Sequence, residues 1–137
     1  MSRLPPLSEI PADLVSARDY ERYALQRLDA NALAYLQGGA GDELTCQANL
    51  RAWQEWALLP RMLRDLRGGH TRCQLLGDSL QHPIVLAPIA YQHLFHAEGE
   101  RASALAAGVM GGAAVLSSFA STRLEDVAEV ARGPLWF

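Results

Sequence analysis

Ile84-Val85-Leu86-Ala87 is apolar at every position, and Pro88 ends the run. A segment with no polar side needs cover on both faces, which marks a strand of a buried parallel sheet rather than a hairpin strand with one wet face. Beyond Pro88 a short mixed segment leads to Glu98-Gly99-Glu100, an acidic helix start. Strand, loop and helix in that order form the junction at which α/β folds carry their chemistry. The stretch from His82 to Glu100 therefore constrains the rest of the chain, with Ala87 to Tyr91 as the candidate floor of a cofactor site.

The pattern then repeats. The first strand, Ile84–Ala87, is followed by a predicted helix from Gly99 to Met110, with Leu105, Ala106 and Val109 facing inward and Gly111-Gly112 as its stop. The second strand is Ala113–Ser117. Its helix starts at Thr122, with Glu125 in the capping-box position, and buries Leu124, Val127, Ala128 and Ala131. Gly133-Pro134 ends that helix, and Leu135-Trp136-Phe137 begins a third strand. Strand–helix alternation of this kind builds a parallel α/β fold. A (β/α)8 barrel uses roughly 30 residues per unit, so the chain is expected to supply about two units, either as a fragment of a larger protein or as a small open sheet.

Upstream the reading is different. Residues 1–15 are rich in proline and read as extended. Ser16 opens a helix, with Asp19 completing an approximate capping box and Tyr20, Tyr23, Ala24 and Leu28 at helical spacing. Asp29 caps a second helix, Ala30 to Gln37, ended by Gly38-Gly39; Asp42 caps a third that buries Leu44, Ala48 and Leu50. Arg61 and Arg64 are candidate partners of carboxylates in this leader. Cys73 to Leu76, then Gly77-Asp78, then Ser79 to Gln81 reads as a β-hairpin with glycine first in the turn. The division expected is residues 1–82 as helical leader and hairpin, and 83–137 as the first two βα units plus the start of a third strand.

Composition narrows the function. With 137 residues, half of them hydrophobic, the chain can build a core. A net charge of −3 gives no footprint for nucleic acid, while local binding of small anions stays open. Cys46 and Cys73 form no Cys-x-x-Cys motif and read as reduced thiols. No stretch has the form of a signal peptide, since Leu4-Pro5-Pro6-Leu7 is short and broken by proline, and no apolar run approaches a membrane span. A cytoplasmic protein is expected, with peripheral membrane contact left open. His70, His82, His93 and His96 show no metal-ligand spacing, so no metal site is assigned.

Several pieces carry a resemblance. They are Tyr35-Leu36-Gln37-Gly38-Gly39-Ala40-Gly41-Asp42-Glu43, Asn49, Pro60 to Asp65, Leu75-Leu76-Gly77, Ala87-Pro88-Ile89-Ala90, His96 to Glu100, Leu116 to Ser121, and Gly133 to Phe137. In this order and spacing the chain resembles the N-terminal part of the FMN-dependent α-hydroxy acid oxidases and dehydrogenases, which include lactate oxidase, glycolate oxidase and mandelate dehydrogenase. The resemblance implies the start of a (β/α)8 barrel, incomplete in this chain. It implies FMN as cofactor, an (S)-2-hydroxy acid (lactate-like or aromatic) as the small-molecule substrate, and a homo-oligomer, tetrameric in relatives.

It also implies roles. The Tyr35 hydroxyl would donate to the substrate carboxylate; the reading from the residues alone is a helix tyrosine packing its ring. The main chain at Pro88, Ile89 and Ala90 would hydrogen-bond the reactive edge of the flavin, where charge develops on reduction; the alternative is a strand end bent by proline. Ser117 would bond the flavin pyrimidine, or else satisfy its own turn. Phe119 would line the substrate pocket, and without a polar tip it favours an apolar substrate side chain. The family's histidine base, its arginine and its lysine are implied to lie beyond Phe137, so no catalytic residue is assigned here. Two alternatives stand beside this reading: a non-catalytic chain that assembles with a complementary one, and another FMN barrel dehydrogenase.

Overall fold

The computed structural model describes Leu4, Pro5 and residues 7–137. The chain divides into two compact units, one running to Arg64 and the other from Asp65 to Phe137.

The first unit is helical. Ser16 forms the expected capping box with Asp19, whose carboxylate accepts from the amides of Val15 and Ser16 at 3.0 and 2.7 Å. A 3-10 turn at Ala17–Asp19 leads into α1, Tyr20–Arg27. The proline-rich segment was expected to be extended. Part of it (residues 1–3 and Pro6) lies outside the described residues, and the rest contains a turn, with Leu14 N donating to Pro11 O. Tyr23 and Arg22 hold Asp13, and Arg27 Nε donates to Pro5 O.

Asp29 caps α2, Ala30–Gln37, by accepting from the amides of Asn31 and Ala32. The cap of α3, Leu44–Gln54, is Glu43 rather than Asp42. Glu43 adopts φ 59 and its carboxylate reaches back to accept from Gly39 N, so the chain enters this helix one residue later than its acidic pair suggests. Leu44 and Leu50, expected inside, are exposed. Among the described residues of this unit the buried apolar side chain is Ala32 on α2.

The second unit begins with Asp65, which pairs with Arg67, and a hairpin of β1, Cys73–Leu75, and β2, Asp78–Leu80. Cys73 faces Leu80, Gln74 faces Ser79, and Leu75 faces Asp78. The turn is therefore Leu76-Gly77, with φ of 50 and 92, one residue earlier than the expected Gly77-Asp78. Both central residues at positive φ make it the primed turn whose twist suits a hairpin. The register follows from the faces of the strands: a one-residue slip would turn Leu80, now 2% exposed, outward.

Three parallel strands follow in the order β3 (Val85–Leu86), β4 (Ala113–Val115) and β5 (Leu135–Trp136). Val85 aligns with Ala113, and Ala114 with Leu135, so strands neighbouring in sequence neighbour in space. The strands are shorter than the apolar runs that foretold them. Between them lie α4, Gly99–Val109, and α5, Leu124–Ala128.

The face of α4 differs from expectation. Ala104 and Ala107 are buried with Glu100, whereas Leu105, Ala106 and Val109 point away. The cause is close approach. A Cβ at Gly108 would overlap the backbone of Arg132 and Gly133, so small residues must face the neighbouring chain there. In α5 only Val127 of the expected set is fully buried; Ala131 packs partly against the core, and Leu124 and Ala128 are exposed. Arg123, not Thr122, is the N-cap, because the Thr122 hydroxyl is bonded elsewhere. The core joins Ala104, Ala107, Ala114, Leu116 and Val127.

Candidate functional site

Parallel strands share a direction, so the chain leaves β3 and β4 at one end of the sheet. The segment Pro88–Ala90 leaves β3 there, and Ser117–Phe119 follows β4. Tyr91 N donates to Phe119 O at 3.0 Å, which joins the two segments directly. The two rings stand 6.1 Å apart with planes tilted by 44°. Tyr91 has φ 54, so the backbone turns sharply after Ala90. The structure thus brings four of the predicted positions, Pro88, Ile89, Ala90 and Ser117, to one end of the sheet with Phe119. Tyr35 sits half-exposed on α2, in the other unit.

Ser117 Oγ accepts from Phe119 N at 3.1 Å, which closes its own turn. The hydroxyl keeps its proton for a second bond, so the turn and a ligand-facing role are compatible. The amides of Ile89 and Ala90 enter none of the hydrogen bonds between described residues. A cavity of about 150 Å³ lies beside this end of the sheet, lined by Leu86, Ala87, Ile89, Gln92 and Glu100 among others. A second hollow of about 270 Å³, between the start of β3 and the end of α4, is almost wholly apolar. Its His82 is engaged, with Nδ1 taking the Ile84 amide and Nε2 facing Met110 O at 3.0 Å.

Glu100 was legible only as an acidic helix start. It is 2% exposed and accepts at Oε1 from Gln92 N and Ser121 N, at 3.1 and 2.8 Å, and at Oε2 from Thr122 Oγ1 at 2.8 Å. Burial pushes its carboxyl up, but the Ser121 amide, its own amide, the Thr122 hydroxyl and the Gln92 amide outweigh that and hold it below the ordinary value. Thr122 Oγ1 gives its proton to Glu100, so at 3.0 Å it accepts from His93 Nε2. The His93 ring lies where a Cβ on Gly99 would stand, and Gly99 has φ 46. The signal available in the sequence was this Gly-Glu pair opening a helix; the donors, from residues 92, 121 and 122, carried none.

Main-chain donors without a partner among the described residues, a small residue at Ala90 and a hydroxyl gather where parallel strands end, the place where α/β folds ordinarily bind their ligands. The arrangement fits a flavin: a flat ring edged with acceptors needs amide donors that do not titrate, and little side chain above them. The chain belongs to the FMN-dependent dehydrogenase family, whose model matches residues 24–137. It is similar to the L-lactate oxidase of Alicycliphilus denitrificans, with 46% identity over 134 residues, 98% of this chain and 37% of that protein. The 4-hydroxymandelate oxidase of Amycolatopsis orientalis is 40% identical over 123 residues, 90% of this chain and 34% of that one. Among solved structures, mandelate oxidase with (S)-4-hydroxymandelic acid superposes with a TM-score of 0.84 at 38% identity, covering 89% of this chain and 34% of its own. The chain spans about a third of the length of these relatives. FMN is the cofactor of the family.

Proposed function

We propose that this chain forms one wall of the active site of an FMN-dependent enzyme that oxidises an (S)-2-hydroxy acid, lactate-like or aromatic, to the 2-oxo acid. The observation that carries the reading is the joining of the 88–90 and 117–119 segments at one end of the parallel sheet through the Tyr91–Phe119 main-chain bond. FMN, when bound, accepts the two electrons released from the substrate. This chain's part is to hold and to orient. The amides of Ile89 and Ala90 are the donors for the ring edge on which negative charge develops, and Ser117 gives its remaining proton to the pyrimidine side. Phe119, 63% exposed, offers an apolar wall to the substrate's side chain. Tyr35 is assigned to the substrate carboxylate through its hydroxyl. The remaining strands of a (β/α)8 barrel, the histidine base, the lysine and the arginine that joins Tyr35 at the carboxylate belong to the rest of the protein. We extend the reading, on family likeness, to a cytoplasmic homo-oligomer.

The test is anaerobic mixing of the purified full-length protein with (S)-lactate and (S)-mandelate. Bleaching of a flavin absorption band, with one 2-oxo acid formed per flavin, is expected for at least one of them. A flavin that neither acid bleaches would sink the proposal.

A further inference from the structure

We propose that Glu100 is a positioning residue for the flavin edge, fixing the distance between the Pro88–Ala90 main chain and Ser117 by binding both loops to one carboxylate. The inference rests on the FMN reading above. Gln92 lies two residues beyond Ala90, and Ser121 four beyond Ser117, so each bond to Glu100 acts on its segment through very little chain. Gln92 is held at its other end as well, since Ser103 Oγ on α4 donates to its Oε1 at 2.6 Å. On the far side, Thr122 passes the constraint to His93, which follows Gln92 in the same loop.

A buried carboxylate with neutral partners is an expensive way to close a loop. Its three partners from other segments are two amides and a hydroxyl, and among the described residues none is a cation. A carboxylate is acceptor-only, so all three donors can converge on it from different loops. Glutamine keeps the shape, and one oxygen still takes both amides. Its amino group would then face Thr122 Oγ1, reversing one bond and leaving the pair of loops joined.

The experiment uses the full-length protein stripped of flavin. FMN is titrated in by loss of flavin fluorescence, and hydrogen exchange at the Gln92 and Ser121 amides is followed without flavin. Wild type is compared with Glu100→Ala, Glu100→Gln and Thr122→Val. In Glu100→Ala, protection at both amides should fall together and the Kd for FMN should rise about tenfold or more. Glu100→Gln should restore the Kd to within about threefold of wild type, because the two amide bonds survive. If Glu100→Ala does not fold, Thr122→Val, which removes one arm, should still raise the Kd about threefold. A purely structural clamp would lower the melting temperature and leave the Kd unchanged, and that result overturns the proposal. Wild-type protein with no affinity for FMN fails before any substitution is made, and overturns the functional reading itself.

Discussion

The indole N–H of Trp136 donates to Asp78 Oδ2 at 2.9 Å, tying the third parallel strand to the hairpin 58 residues upstream. Asp78 is half-buried, and this bond gives the closing pair of the hairpin a fixed neighbour. Trp136→Phe keeps most of the ring and removes the donor. It should cost about 1 kcal/mol, read as a lower denaturation midpoint at unchanged slope. Asp78→Asn keeps an acceptor and should cost less. A Trp136→Phe midpoint equal to wild type would show that the bond contributes nothing.

Leu76 occupies a left-handed turn position at φ 50 while 80% exposed. A leucine there is strained and packs on little. Leu76→Asn should stabilise the protein by about 0.5–1 kcal/mol, because asparagine tolerates this conformation. An unchanged or lower midpoint in urea would refute this.

Gly108 sits inside α4, where alanine would be the better helix former by about 1 kcal/mol. It is tolerated because the backbone of Arg132 and Gly133 passes against it. Gly108→Ala should therefore destabilise by about 2 kcal/mol despite the gain in propensity. Thermal unfolding at or above the wild-type temperature would mean that the contact yields at no cost.

These residues also mark what could be read in advance. The helices capped by Ser16 and Asp29, and the strand–helix alternation after Ile84, follow from local chemistry and were legible. The hairpin register was not, because Leu80 and Trp136 decide it from outside the turn. Nor was the inner face of α4: a helix with alanine on several sides has no apolar stripe to fix its rotation, and Gly108 fixes it through a contact more than twenty residues away. At the candidate site, the segment after β3 was legible from its proline and alanines. The burial of Glu100 was hidden, since an acidic residue at a helix start is ordinarily wet.

The carboxyl of Glu100, held below its ordinary value of 4.5, links folding to pH. A group whose folded pKa is depressed stabilises the protein above its unfolded pKa, and that share is lost as pH falls through the folded value. Wild type should therefore lose its advantage over Glu100→Gln as pH falls from above 4.5 into the acid range below it. Denaturant titrations of both proteins across that range would show the difference shrinking. A difference constant with pH would mean that the carboxylate is not ionised in the native state.

Because Gln92, Ser121 and Thr122 all terminate on one side chain, the two loops are not independent units of exchange. Anyone recombining this protein with a relative has a natural cut before Pro88 and another after Thr122. A crossover placed between Gln92 and Thr122 would pair one parent's carboxylate with at least one of the other parent's donors. Libraries that move the span as a single cassette should retain folded members at a higher rate than libraries that split it.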